Sequence, residues 1–307
     1  MPSIVLDQLD RFGPTHCQTL SRDEALAYTL DLATGHYENF SVISRLVPRN
    51  LRPHFASVYA FCRWADDLGD ETGSKSRSSE LLAWWRDELS QCYAGQPRHP
   101  VFVALQPTIQ QFDIPVTPFE NLIDAFEQDQ HVDRYETWDR VVDYCRRSAN
   151  PVGRLVLYLS GYRDETRQQL SDATCTALQL VNFWQDVRRD IIERDRIYVP
   201  TDALRQHGLS HKDLIAHVNG ERTIDARPVI RDLVQRTWLL FQTGRRLWPM
   251  IEGPTRSSVK LFTQGGEHIM KCIEQIDYRT LDQRPTLTRF SKALLVFKAL
   301  AGRVVGR

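Results

Sequence analysis

VYAFCRWADDLGDE at residues 58 to 71 and ALQLVNFWQDVRRD at residues 177 to 190 share one plan, an apolar and aromatic run that ends in carboxylates spaced four apart. Positions i and i+4 lie one turn apart on the same face of a helix. Asp66 with Asp70, and Asn182 with Asp186 and Asp190, therefore each form a ladder of oxygen ligands if these stretches are helical. Acids four apart are common on solvated helix faces, but these follow runs that call for burial, and Arg63, Arg188 and Arg189 stand beside them. A buried or half-buried acid needs a partner or a metal. Two such ladders facing each other would hold several Mg2+ ions, which prefer hard oxygen ligands and bind through one or two carboxylates plus phosphate oxygens. The pattern predicts helices that carry a metal-diphosphate site.

The rest of the chain is consistent with that reading. Apolar residues recur at three and four spacing over residues 21–34, 52–68, 79–94, 117–129, 138–160, 164–189, 226–248, 256–281 and 288–301, and alternating strand patterns are scarce. Breaks carry turn residues, as in GSKSRSS, GQPRHP, DIPVTP and MIEGPTRSS, and none is long enough to read as an interdomain linker. The expectation is one all-α domain over residues 1–307. Ser21 with Glu24 forms a capping-box pattern, and Thr117 with Glu120 repeats it with Pro118 at the first helical position. The polar loops GDETGSKSRSS and RDIIERDRIYVP each follow an acidic cluster, where they could order around a charged ligand; IYVP reads as an anchored segment.

Composition excludes several classes. With 307 residues and 42% hydrophobic content the chain can bury a full core. Lys plus Arg equals Asp plus Glu at 39 each, which lacks the electrostatic footprint of a nucleic-acid binder. No apolar run approaches a membrane span, and MPSIVLDQLDRFG lacks the features of a signal peptide, so a cytoplasmic protein is expected. Cys17, Cys62, Cys92, Cys145, Cys175 and Cys272 are scattered without a CxxC pair and read as reduced core residues. After Asp282 every charge is basic, and Arg284, Arg289, Lys292, Lys298, Arg303 and Arg307 accompany Phe290, Leu294, Leu295, Phe297 and Leu300. A terminal helix packed on a bundle accounts for that pattern, and peripheral contact with an anionic membrane surface is the alternative.

Aspartate ladders sharing Mg2+ would act as a Lewis acid on the bridging oxygen of an allylic or cyclopropylcarbinyl diphosphate. Arg63, Arg196, Tyr59 and Tyr198 are the kinds of donor that hold a departing diphosphate. The carbocation left behind needs unreactive apolar and aromatic walls, for which Phe40, Tyr144, Phe183 and Trp184 are candidates. A di-iron bundle would want Glu-x-x-His pairs, and there are none. HExxH, GxSxG, GxGxxG and the P-loop pattern are absent as well.

HYENFSVISRLVP at 36–48, YAFCRWADDLGDE at 59–71, YCRRSANPVG at 144–153, and QLVNFWQDVRRD with RIYVP between 179 and 200 together resemble, in order and spacing, the squalene and phytoene synthase family of head-to-head prenyl diphosphate synthases. The resemblance implies an isoprenoid synthase-type helical bundle around a central cavity. It implies Mg2+ ligands at Asp66, Asp70, Asn182, Asp186 and Asp190. Diphosphate contacts are implied at His36, Asn39, Tyr59, Arg63, Gln179, Arg196, Tyr198 and Tyr278, and a prenyl channel lined by Phe40, Tyr144, Ala149, Val152 and Gly153. Tyr144 and Asn150 are the candidates to position a water. Two departures stand out. Gln185 occupies a place where the family commonly has Arg, and Asn150-Pro151 interrupts a stretch of usually small residues.

HYENF, SANPVG and NFWQDV resemble the bacterial hydroxysqualene synthase subgroup of hopanoid pathways. That subgroup takes presqualene diphosphate, and water rather than hydride ends the reaction, so no NADPH is expected. The loss of one arginine at Gln185 would suit one diphosphate rather than two. A complete squalene or phytoene synthase is the alternative, and a non-catalytic binding or assembly relative the less favoured one, since Asp66, Asp70, Asp186 and Asp190 are all retained. Implied partners are a presqualene diphosphate synthase upstream and a reductase downstream.

Overall fold

The structure, a computed structural model, describes residues 5–35 and 47–285. His36, Asn39 and Phe40, and the basic tail beyond Pro285, lie outside the described residues. In chain order the helices are α1 (Arg22–Gly35), α2 (Arg52–Asp70), α3 (Lys75–Tyr93), α4 (Pro100–Phe112), α5 (Thr117–Gln128), α6 (Trp138–Ser148), α7 (Asn150–Leu159), α8 (Glu165–Gln185), α9 (Val187–Arg194), α10 (Thr201–Gln206), α11 (His211–Val218), α12 (Arg227–Arg245) and α13 (Gly253–Gln275). Among the described residues there is no β-strand beyond two isolated bridges, Phe12 with Cys17 and Arg134 with Ile197. The all-α expectation holds. All six cysteines are free, as expected.

Contacts gather the described residues into two compact units, one drawn from Met1–His131 with Pro151–Arg163 and the other from Val132–Asn150 with Asp164–Arg307. In the first unit α2 is the central element. Ala56, Ala60, Phe61, Trp64, Ala65 and Leu68 recur at the three and four spacing that puts them on one buried face. Trp64 stacks on Trp85 of α3 with ring centroids 5.3 Å apart, and Phe61 meets Phe119 of α5 edge-on at 4.8 Å. Each of these fully buried large side chains contributes roughly 1.5–3 kcal/mol. The Ser21–Glu24 box forms as predicted, with the Ser21 amide donating to Glu24 at 2.8 Å and the Glu24 amide to the Ser21 hydroxyl at 3.4 Å. The Thr117 box does not form: Val116 already has helical dihedrals and accepts from the Glu120 amide, so Thr117 lies inside the helix.

In the second unit α8 packs lengthwise on α12 and also on α13. Gly266 of α13 lets the three approach closely, because a Cβ there would lie 2.6 Å from Leu178 and 2.7 Å from Phe241. Gly266→Val is expected to lower stability by about 1–3 kcal/mol through overpacking, read as a fall in the urea midpoint.

Two expected long helices are each divided. The 138–160 stretch breaks at Ala149 (φ −121°, ψ −46°), two residues before Pro151, which has no amide hydrogen to continue the ladder. The 164–189 stretch breaks at Asp186 (φ −106°, ψ 14°). Helices α4, α10 and α11 were not anticipated. In α4 two prolines, Pro100 at its start and Pro107 inside, mask a run with little polar periphery.

Candidate active site

The first aspartate cluster occupies the carbonyl end of α2. Asp66, Asp67, Asp70 and Glu71 crowd its last turn and cap, where no basic residue stands. The negative end of a helix dipole disfavours anions and favours cations. Arg63 lies 3.7 Å from Asp66 and pairs closely with Asp67, so the guanidinium expected to meet diphosphate is engaged by the cluster itself. Asp67, absent from the sequence-based list of ligands, is fully buried, whereas Asp66 and Asp70 lie on the more open side. Burial first, then the Asp66 charge, push the neighbouring Cys62 thiol up to about 12, which leaves it unreactive at neutral pH. The end of α2 is tied to its neighbours. Ser78 Oγ and Gln130 Nε2 both donate to the Gly69 carbonyl, at 2.9 and 3.0 Å.

The second cluster repeats this placement at Asp186 alone. Asp186 is the C-cap of α8, whose last turn also has no basic residue. The backbone bonds Asp186 N to Asn182 O (2.9 Å) and Asp190 N to Asp186 O (2.8 Å) run through the bend, so the four-residue spacing survives although the helix does not. Asn182 is exposed, and Asp186 and Asp190 are half-buried. Burial, and after it the Asp186 carboxylate, push the Asp190 carboxyl up to about 7, while Arg194, Arg189 and Arg196 pull the other way. Asp186 closes the carbonyl end of α8 and Asp190 stands in the first turn of α9; such a crowded pair of hard carboxylate oxygens fits Mg2+, and the residues that would hold it here are Asp186, Asp190 and Asn182. Among the described residues no three His, Cys, Asp or Glu side chains converge into a ready-made cage.

An aromatic wall belongs to the same unit. Phe183 and Tyr198 stack face to face at 3.6 Å and 6°, and Tyr144 lies 6.1 Å from Phe183, 5.9 Å from Tyr198 and 5.7 Å from Tyr135. RIYVP is anchored as expected: Ile197 N donates to Asp133 O at 2.9 Å and Thr201 N to Tyr135 O at 3.0 Å. Arg196 N donates to Asp190 O at 3.0 Å, which joins this segment to the second cluster. Gln179 is half-buried on α8, two turns before Asp186. Trp184, expected on the wall, is core instead, and its indole N–H donates to Thr237 of α12 at 2.9 Å. Asn150 is buried and its Oδ1 accepts from Thr176 Oγ1 at 2.8 Å.

The remaining expected site residues are distributed. Ala149 is buried, Val152 is 45% exposed and Gly153 is half-buried. Tyr278 has φ +59°, packs its ring under Arg231 at 5.0 Å, and lines a cavity of about 230 Å³ with His217, Arg227, Arg279 and Asp282. The Arg284 guanidinium grips both carboxylate oxygens of Asp186, with Nη2 3.1 Å from Oδ2. An arginine thus stands on Asp186 although position 185 is Gln. Arg284 had been counted in the basic tail, and only its place in the fold identifies it.

The squalene/phytoene synthase family model matches residues 33–291, and the chain belongs to that family. It is 36% identical to a hydroxysqualene synthase of Zymomonas mobilis over 92% of this chain and 94% of that one. It is 28% identical to a phytoene synthase of Arthrospira platensis over 93% and 96% of the two chains. Among solved structures, squalene synthase HpnC of Alicyclobacillus acidocaldarius superposes with a TM-score of 0.78 at 44% identity, covering 84% of this chain and 95% of that one.

Proposed function

We propose that the chain is a Mg2+-dependent hydroxysqualene synthase, which ionises presqualene diphosphate, rearranges the cation and captures water to release hydroxysqualene and diphosphate. The observation that carries this reading is the Asp186–Asp190 carboxylate pair in one unit with the Tyr144–Phe183–Tyr198 wall. The match along nearly the whole length of the Zymomonas mobilis hydroxysqualene synthase supports it. Mg2+, when bound with diphosphate, supplies Lewis-acid stabilisation of the leaving group. The proposed ligands are Asp66 and Asp70 of the first unit and Asn182, Asp186 and Asp190 of the second.

The protein's own groups do the rest. Arg63, Arg196 and the hydroxyls of Tyr59 and Tyr198 donate to diphosphate oxygens, and Gln179 orients them. His36, Asn39 and Tyr278 are proposed as further contacts. The faces of Phe183, Tyr198 and Tyr144 present negative quadrupoles to the cation and keep bulk water away, with Phe40, Ala149, Val152 and Gly153 as further lining. Tyr144 is proposed to orient the water that ends the reaction, so no NADPH is used. A synthase that makes presqualene diphosphate would act before this protein and a reductase after it. No described helix is long and apolar enough to cross a membrane. The lipophilic product and the basic tail suit a cytoplasmic protein that rests on a lipid surface.

The phytoene synthase relative favours a second reading, condensation of two prenyl diphosphates. One assay separates the two. Presqualene diphosphate is expected to give hydroxysqualene with Mg2+ and nothing with EDTA, with NADPH making no difference to the product mass. Efficient conversion of farnesyl diphosphate to presqualene diphosphate would instead establish the condensing enzyme.

A further inference from the structure

Among the described residues nothing hydrogen-bonds to the hydroxyl of Ser148, although that oxygen is buried. Serine and threonine inside a helix can satisfy the hydroxyl on the carbonyl four residues back. Ser79, Ser90, Thr237, Ser258 and Thr263 all do so here, at 2.8–3.0 Å. Ser148, the last residue of α6, has the Tyr144 carbonyl at that spacing and does not use it. Val141, Tyr144 and Cys145 form the buried stripe of α6, and position 148 continues it at three and four spacing. Tyr144 stands 6.1 Å from Phe183 and 5.9 Å from Tyr198, so the stripe belongs to the aromatic wall. Side chains on a helix lean toward its start, which carries the Ser148 hydroxyl over the turn of Tyr144. Thr174 and Thr280 of this unit also have no partner among the described residues. Thr174 Oγ1, however, takes the space that a Cβ at Gly244 of α12 would need, and Thr280 is in the turn after α13.

We propose that Ser148 is a water-positioning residue, whose hydroxyl holds, together with Tyr144, the water that ends the reaction. This rests on the reading of the chain as a hydroxysqualene synthase. A buried hydroxyl left unpaired costs free energy, and a water held among apolar side chains takes two to four polar partners. Ser148 supplies one and Tyr144 another. Serine suits the task because it is not a base. A carboxylate or an imidazole here would take a proton from the carbocation, whereas a neutral hydroxyl accepts a hydrogen bond from the water and leaves a water lone pair for carbon. The step closes with the reaction's own groups. The bond from carbon to the diphosphate oxygen breaks with both electrons on oxygen, and a lone pair of the water forms the new carbon–oxygen bond. The proton of the resulting oxonium passes to the released diphosphate. Without a positioned water the cation sheds a proton from carbon, and a hydrocarbon replaces the alcohol.

The partition of products separates this role from a structural one. Presqualene diphosphate would be turned over with Mg2+ by wild type, Ser148→Ala and Ser148→Val, with alcohol and hydrocarbon resolved by mass and diphosphate release followed in parallel. The ratio of alcohol to hydrocarbon is expected to fall about threefold to tenfold in both variants, the range of one neutral hydrogen bond. Diphosphate release should stay near the wild-type rate, because ionisation precedes capture. A shift common to a smaller and a larger side chain reports the hydroxyl rather than the shape. Ser148→Ala should also melt at or above wild type, since it removes a desolvated hydroxyl and alanine is the better helix former. An unchanged ratio in Ser148→Ala overturns the proposal. So does a Ser148→Ala protein that melts below wild type, which would give the hydroxyl a structural bond. A wild type that makes no hydroxysqualene from presqualene diphosphate defeats instead the reading on which the proposal rests.

Discussion

Asparagine at Asp186 or Asp190 will leave a folded protein whose turnover of presqualene diphosphate falls by about a hundredfold to ten-thousandfold. Metal stabilisation of a leaving group supplies several kcal/mol, and about 1.4 kcal/mol is a factor of ten in rate. The same loss is expected for Asp66→Asn, whose carboxylate lies at the other helix carbonyl end. Stability should move the other way for Asp190. Burial, then the Asp186 charge, raise its carboxyl to about 7 in the folded, metal-free protein. A carboxyl raised above its unfolded value of roughly 3.9 binds its proton more tightly when folded. Its contribution is therefore complete below about pH 4 and is lost as the pH rises through about 7. Asparagine mimics the protonated form at every pH. In EDTA, Asp190→Asn should melt above wild type at pH 8, and the difference should close toward pH 4. Product quantified by mass checks the first effect and calorimetry the second. Undiminished turnover in the three variants sinks the assignment, and a lower melting point at pH 8 would make Asp190 part of a structural ion pair.

How far such a site can be read from sequence depends on whether its parts are local. The two clusters were legible because apolar runs ending in Asp at four-residue spacing advertise themselves within one turn, and so were the Ser21 box and the anchored IYVP. The divided helices were half-legible. Pro151 announces a break, but nothing in QDV tells that Asp186 leaves helical dihedrals while keeping the hydrogen-bond spacing. Asp67 was passed over because ladder reasoning selects the i,i+4 pair and is silent on which neighbour faces the core. Arg284 and Gln185 show the limit most directly. Their contacts join residues 98 and 100 positions apart. A charge count along the chain cannot see that a segment almost a third of the chain away sets an arginine on Asp186.

Lowering the pH from 7 to 5 should destabilise the first unit through one histidine. His99, the N-cap of α4, is completely buried. Its Nδ1 accepts from the Val101 amide at 3.2 Å, so the proton of the neutral ring is on Nε2, which has no hydrogen-bond partner. Around it stand Trp64 at 4.3 Å, Trp85 at 4.9 Å and Trp84 at 5.7 Å between ring centroids, each near perpendicular to the imidazole. Glu88 reaches only the His99 backbone amide, at 3.4 Å, and its carboxylate is bound by Arg98 at 2.7 Å. Protonation would turn Nδ1 into a donor facing another donor and place a charge among indoles. The favourable cation–π contact is worth about 2 kcal/mol or somewhat more when desolvated, against a burial penalty of roughly 3–5 pK units at about 1.4 kcal/mol each. Burial accordingly holds His99 well below the ordinary histidine range. A histidine depressed on folding takes its proton first in the unfolded chain. Its contribution is thus complete above about pH 6.5, and each unit below costs about 1.4 kcal/mol until the folded ring titrates. For units of this size that is about 3–6 °C of melting temperature per pH unit. His99→Asn keeps an acceptor for the Val101 amide and removes the titration. It should melt lower than wild type at pH 7, because a ring is missing from the core, yet lose less between pH 6.5 and 5. His54 and His211, also depressed by burial, contribute equally to both proteins, so the difference in slope isolates His99. Parallel melting curves over that range would mean that the ring is already charged, or already wet, in the folded protein.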